Sequence, residues 1–222
     1  DCDVLVLSPG LSPDFGAAAS VVARARARGI PVVGEIELFA MLLTALGERR
    51  GYRPKVVGIT GTNGKTTTTV LTTEMLKASG LSAVAAGNIG LNALSALERS
   101  ADEENLPDVW VLELSSFQLE TTASLSLDVA TLLNVTEDHI DWHGSMARYR
   151  AAKERIFRSA RVRVLARGDD SVPRLVRACD LTFGEDRPER NGDYGLLGNE
   201  LVRREEGRLV PLLSESDRLL RG

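Results

Sequence analysis

Val56-Val57-Gly58-Ile59-Thr60-Gly61-Thr62-Asn63-Gly64-Lys65-Thr66-Thr67-Thr68-Thr69 carries three signals in one stretch. A β-branched apolar run gives way to glycines, a Lys-Thr pair follows, and Val70, Leu71, Met75 and Leu76 continue at helical spacing. Strand, tight loop and helix start in that order make a phosphate cradle. Glycines let successive N–H groups converge on one anion, and the helix dipole adds positive potential. In such a loop Lys65 reaches the outer phosphates and the Thr66 hydroxyl binds Mg²⁺. The spacing departs from the usual pattern: five residues before Gly64 stands Ile59, and the nearest glycines are Gly58 and Gly61.

Downstream, the pattern alternates. Ser82–Ala86 reads as a small-residue strand, Gly87-Asn88-Ile89-Gly90 as a loop and Leu91–Arg99 as a helix, before an acidic exposed stretch over Ala101–Pro107. Val109–Leu112 is a strongly apolar strand ending in Glu113, a helix follows from about Ser115, and Val129–Leu133 is another buried strand. Ser145–Ser159 reads as a helix and Val162–Ala166 as a strand. Strands alternating with helices give a doubly wound, mostly parallel sheet. Four short runs between turn residues then suggest a small antiparallel segment at the sheet edge: Leu181–Phe183, Tyr194–Leu197, Leu201–Arg203 and Leu209–Leu212.

Upstream, Val4–Leu7 is a continuous apolar run, expected to be a buried parallel strand. A turn at Ser8-Pro9-Gly10, a helix from about Asp14 to Arg28, a strand over Ile30–Val33 and a helix over Glu35–Leu46 complete a right-handed βαβ unit. The turn lies at a strand's C-terminal end, where such sheets bind ligands, though on these residues alone a plain turn is the stronger reading. Polar residues with two glycines and a proline mark Gly47–Pro54 as a linker. The expected organisation is α/β. Residues 1–48 form the C-terminal part of a Rossmann-like domain, and residues 49–222 a P-loop domain incomplete at its end. The first residue is not Met and the last two are Arg-Gly, so a piece of a longer protein is expected.

A net charge of −4 disfavours non-specific nucleic-acid binding. Two cysteines, Cys2 and Cys179, support no disulfide framework or metal spacing, which suits a reducing cytosol. No apolar run approaches the roughly 20 residues that span a bilayer, and no signal peptide opens the chain.

Glu113 sits where carboxylates of P-loop proteins hold Mg²⁺, although an acid there also serves as a solvated strand end or helix cap. Asn134-Val135-Thr136-Glu137-Asp138-His139-Ile140-Asp141-Trp142-His143 follows another strand end and contains both histidines of the chain, a set suited to metal binding or proton transfer. Ser115 and Gln118 have capping-box spacing, which accounts for them without a ligand. Lys153, taken alone, is a surface lysine with i,i+4 partners.

Together these residues resemble the Mur ligase family of ATP-dependent amide-forming enzymes. Gly61-Thr62-Asn63-Gly64-Lys65-Thr66 matches that family's own phosphate-loop variant. Glu113–Glu120, Asn134–His139 and Gly34-Glu35-Ile36-Glu37-Leu38-Phe39 extend the match over essentially the whole chain. The resemblance implies a ligase joining D-glutamate to UDP-N-acetylmuramoyl-L-alanine through an acyl phosphate, in peptidoglycan synthesis. It implies ATP contacts from Gly61, Thr62, Asn63, Gly64, Lys65, Thr66 and Thr67, and a catalytic set of Lys65, His139 and Lys153. It also implies two Mg²⁺ sites, one on Thr66 and Glu113. The other is on His139 and on Lys153 as its CO₂-derived carbamate, which reverses the surface reading of Lys153. Ser8, Pro9, Gly10, Asn88, Ser115 and His139 are implied substrate contacts. A cytoplasmic monomer without membrane insertion is expected, and the 222-residue piece alone is expected to be catalytically silent. Two alternatives stay open: another Mur or folylpolyglutamate-type ligase, and a non-catalytic P-loop nucleotide-binding module.

Overall fold

The computed structural model describes residues 2–168 and 177–213, which form a two-stranded sheet and a nine-stranded sheet. In the first unit, β1 (Leu5–Val6) pairs in parallel with β2 (Val32–Val33), linked by a 3-10 turn (Gly16–Ala18) and α1 (Ala19–Ala27). The expected burial of Val4–Leu7 is only partly met: Leu7 is buried, but Val4 and Val6 are 38% and 53% exposed. A strand in a two-stranded pair lacks cover on both faces, so alternation replaces full burial.

α2 (Glu35–Arg50) overrides the expected linker, because the helix continues through Gly47 to Arg50 and stops at Gly51, whose φ is +70°. Gly47 is tolerated there because the chain doubles back against it: a Cβ would stand 2.6 Å from Arg53 Nη1. The link is therefore limited to residues 51–54.

The large sheet contains β3 (Lys55–Thr60), β4 (Ala83–Gly87), β5 (Val109–Glu113), β6 (Leu127–Leu132), β7 (Ala160–Ala166), β8 (Leu181–Phe183), β9 (Asp193–Leu197), β10 (Glu200–Glu205) and β11 (Arg208–Leu213). Its spatial order is β11-β10-β9-β8-β7-β6-β3-β5-β4. The helices are α3 (Lys65–Ala78), α4 (Ala93–Asp102), α5 (Ser116–Glu120), α6 (Ile140–His143) and α7 (Met146–Glu154), the last followed by a 3-10 turn over Arg155–Phe157.

β4 through β9 are parallel, and only β9-β10-β11 is antiparallel. The edge segment exists, but Leu181–Phe183 joins the parallel part. Its short apolar run has no feature that distinguishes the two directions. The β10–β11 hairpin turns at Glu206-Gly207, both with positive φ, as its two-residue loop requires.

One core crosses the molecule. Ile36, Phe39, Ala40 and Leu46 of α2 share a buried cluster with Trp110, Leu112, Leu132, Tyr149 and Ile156. Phe39 meets Trp110 edge to face at 5.5 Å. On the other side Ile59, Ala83, Val109 and Val111 form a smaller cluster, joined by the partly buried Leu76 of α3. β3 lies between β5 and β6, so its C-terminal end, and the glycine loop after it, sits in the middle of the sheet edge.

Candidate active site

Gly64 takes a left-handed conformation (φ +80°) at the start of α3, and no side chain caps the helix. The first amides of α3 are thus left for an anion. The loop is held from the end of β6. Asn63 N–H donates to Asn134 Oδ1 (2.9 Å), Asn134 Nδ2 donates to the Asn63 carbonyl (3.1 Å), and Thr62 N–H donates to the Asn134 carbonyl (3.0 Å). The Thr62 hydroxyl is bonded by Thr136 N–H at 3.0 Å and lies 3.1 Å from the Tyr149 hydroxyl. Lys65 Nζ folds back onto the Thr62 carbonyl at 2.9 Å.

Glu113 gathers the next residues. It is only 2% exposed; Thr66 Oγ1 donates to its Oε2 at 2.8 Å and Asn88 Nδ2 to its Oε1 at 2.9 Å. Asn88 reaches it because Gly87 (φ +101°) lets the chain turn over the strand end; a Cβ on Gly87 would lie 2.4 Å from the Glu113 carbonyl oxygen. A buried carboxylate met by neutral donors and a hydroxyl at a phosphate loop are hard oxygen ligands of the type Mg²⁺ takes alongside phosphates and waters. They fit that ion. Among the described residues no three His, Cys, Asp or Glu side chains group as a metal site by themselves.

Ser115 and Gln118 form the expected capping box: the Ser115 hydroxyl accepts from Gln118 N–H (3.2 Å) and Gln118 Oε1 accepts from Ser115 N–H (2.9 Å).

Lys153 is not at the surface. It is 2% exposed, donates to the Gly61 carbonyl at 2.7 Å and lies over the Tyr149 ring at 4.7 Å. Its i,i+4 neighbour Tyr149 is the shelf that turns it inward under the phosphate loop. Burial, with Lys65 nearby, pushes the ammonium down to about 7.

The two histidines separate. His139 has a left-handed backbone (φ +51°), an exposed ring 3.3 Å from Asp138 Oδ2, and Phe117 packed on it at 4.7 Å. Among the described residues it bonds to none of Thr66, Glu113 or Lys153. His143 is buried, with Nε2 2.9 Å from the Ser116 hydroxyl. Burial, reinforced by His139, Lys153 and Arg148, drives it down to about 4, so it is a neutral packing residue at pH 7.

Ser8-Pro9-Gly10 forms a turn closed by Leu11 N–H on the Ser8 carbonyl (3.0 Å). Its neighbours tie it to the large sheet's loops: Ser12 donates to the Trp142 carbonyl, and Asp14 pairs with Arg148 and Arg26.

Sequence reasoning did not assign Asn134 or Tyr149, which shape the loop. Asn134 had a signal in its place at a strand end; Tyr149 had only its spacing to Lys153.

Residues 59–186 match the model of the Mur ligase middle domain, more than half of the chain. The chain belongs to the Mur ligase family. A Mur ligase of Bordetella avium, the UDP-N-acetylmuramoylalanine–D-glutamate ligase, is 54% identical over 196 residues, 86% of this chain and 39% of the relative. The solved UDP-N-acetylmuramoyl-L-alanyl-D-glutamate–2,6-diaminopimelate ligase superposes with a TM-score of 0.61 at 18% identity, over 95% of this chain and 52% of the other. The MurF ligase of Thermotoga maritima in complex with ADP gives 0.56 at 19% identity, over 95% and 55%. Both show the shared Mur ligase fold. The chain spans about two-fifths of the length of the curated relatives it matches.

Proposed function

We propose that the full-length protein carrying this chain joins D-glutamate to UDP-N-acetylmuramoyl-L-alanine, using ATP and forming ADP and phosphate. The observation that carries this reading is the Glu113 junction. One buried carboxylate holds Thr66 of the phosphate loop and Asn88 of the neighbouring loop, so the triphosphate and the acceptor carboxylate would meet there. The name of the 54% identical relative, a UDP-N-acetylmuramoylalanine–D-glutamate ligase, supplies the two substrates.

In this reading the phosphate loop from Gly61 to Thr67 and the Lys65 ammonium bind the β- and γ-phosphates. The L-alanine carboxylate oxygen attacks the γ-phosphorus and the ADP oxygen leaves. The D-glutamate nitrogen then attacks the acyl carbon, losing a proton as the phosphate oxygen departs. Attack of one anion on another is hindered by repulsion, which Lys65 offsets, and fixed placement of both reactants lowers the barrier. Two Mg²⁺ ions, when bound, supply charge neutralisation. Thr66 and Glu113 would hold one; His139 and Lys153, as its carbamate, would hold the other. An amine held at about 7 by burial is largely uncharged at pH 8 and so reactive toward CO₂. Ser8, Pro9 and Gly10 would hold the diphosphate of the nucleotide-sugar, with Asn88, Ser115 and His139 at its peptide end.

The reading takes residues 1–48 with the nucleotide-sugar and 49–222 with ATP, in a cytoplasmic monomer. No helix among the described residues is long and apolar enough to cross a membrane. Phosphate release by the full-length protein with ATP and UDP-N-acetylmuramoyl-L-alanine tests it. Release is expected with D-glutamate and not with L-lysine or meso-diaminopimelate; release indifferent to the amino acid would sink it.

A further inference from the structure

Gly34-Glu35-Ile36-Glu37-Leu38-Phe39 is singled out in the sequence, yet no step of the proposed reaction uses it. It sits where three proposed substrate-facing segments converge. Leu7, the residue before Ser8, donates to the Val33 carbonyl at 2.8 Å, so the Ser8–Gly10 turn is anchored one residue short of Gly34. Gly34 itself passes so close to the end of α5 that a Cβ would stand 2.3 Å from Thr121 Oγ1, and its N–H donates to the Thr121 carbonyl at 3.3 Å.

The two glutamates then reach away from their own helix. Glu35 Oε1 accepts from Leu94 N–H (2.6 Å), in the first turn of the helix that follows the Asn88 loop. Glu37, 7% exposed, accepts from Ala123 N–H (2.7 Å) and from Ser124 N–H (2.9 Å), just beyond the helix that Ser115 caps. Acids in a first helical turn ordinarily serve their own helix dipole. Here α2 begins without a side-chain cap, while both carboxylates bond amides of other segments. Charge-assisted bonds to backbone amides are stronger and more directional than neutral ones.

We propose that Glu35 and Glu37 are positioning residues, a two-carboxylate clamp fixing the Ser8–Gly10 turn relative to Asn88 and Ser115. The clamp sets affinity for the nucleotide-sugar without touching it. ATP contacts lie in one loop after β3 to which neither glutamate bonds, so nucleotide affinity changes far less than affinity for the nucleotide-sugar. This deepens the ligase reading and rests on it for the placement of the nucleotide-sugar.

The test is calorimetry on the full-length protein with UDP-N-acetylmuramoyl-L-alanine and, separately, ADP. Glu37→Gln puts an NH₂ donor where an acceptor stood and leaves at least one amide unmatched. Its Kd for the nucleotide-sugar should rise about tenfold, the loss of one such bond, with the Kd for ADP unchanged within about twofold. Glu35→Gln keeps one carbonyl acceptor for Leu94 and should show a smaller rise of the same selectivity; it carries the test alone if the first variant does not fold. An unchanged nucleotide-sugar Kd, or an equal rise for both ligands, overturns the clamp. Wild-type protein that binds the nucleotide-sugar but releases no phosphate with D-glutamate overturns the ligase reading instead, and the Kd ratio still decides the clamp.

Discussion

A lysine taken out of water beside a second lysine cannot keep its proton cheaply. Lys153 is buried with Lys65 nearby, and the Gly61 carbonyl and Tyr149 ring that favour its ammonium do not offset that cost. Its ammonium titrates near 7 instead of 10.5. Between those values the folded chain holds fewer protons on this residue than the unfolded chain does, so this group makes stability rise with pH across that window. The same shift sets its chemistry, since only the neutral amine attacks CO₂. A carbamate on Lys153 should therefore form in bicarbonate at pH 8 and fade as pH falls below about 7. A ¹³C carbamate resonance from labelled bicarbonate, absent in Lys153→Arg, reads this directly. A resonance that persists unchanged to pH 5.5 would contradict it. The burial was not legible in the residues taken alone; only the family resemblance implied a carbamate on Lys153. The spacing Tyr149-x-x-x-Lys153 is the same on a surface helix and a buried one, and the loop that covers it lies 92 positions away. The Asn63–Asn134 bonds, 71 positions apart, were hidden for the same reason. The phosphate loop was legible because its strand, glycines and helix are contiguous.

Among elements, β8 is the one whose direction the sequence misjudged, since Leu181–Phe183 was expected in the antiparallel edge and is parallel to both neighbours, and side chains hold it in place. Asp180, just before it, is 1% exposed in its side chain and pairs with Arg163 on β7, which is 7% exposed. Asp180 also accepts from Arg177 N–H, and Thr182 donates to the buried Asp193 of β9 at 2.6 Å. These bonds stitch the last parallel strands to the antiparallel edge. Burial alone would raise the Asp180 carboxyl; the Arg163 bonds and the Arg177 amide outweigh it and hold the group below its usual value. A depressed carboxylate pKa stabilises the fold in full above the unfolded value of about 3.9, and that contribution is lost progressively as pH falls from there through the lower folded value. Asp180→Asn keeps the shape and removes the charge from a buried pair, so it should cost about 3 kcal/mol at pH 7. The gap from wild type should narrow as pH falls below about 4. Urea titrations at pH 7 and pH 3.5 measure both; an equal gap at the two pH values would show that the carboxylate charge is not what holds β8.

At the scale of the whole molecule, the sequence suggested two units with a linker between them, and the packing joins them. α2 leads out of the small sheet, yet Ile36, Phe39 and Ala40 are buried in the same cluster as Trp110 and Leu132 of the large one. Trp110 extends the contact by donating to the Tyr52 hydroxyl (3.0 Å), and Tyr52 in turn donates to the Pro107 carbonyl (2.6 Å), which fixes the short link on the sheet. A composition-based boundary could not show this, because a polar, glycine-bearing helix end and a linker have the same residues. If one core serves both units, they unfold together. Phe39→Ala removes the ring set against Trp110 and should cost about 3–5 kcal/mol, in a single transition whose far-UV and near-UV circular dichroism midpoints move together. Had α2 belonged to an independent unit, the same change would shift one part of the signal and leave a second transition at the wild-type midpoint. Coincident midpoints before and after substitution therefore mean that the turn at Ser8–Gly10 and the loop at Gly61–Thr66 are held by one cooperative structure, with their relative placement set by the fold before any substrate arrives.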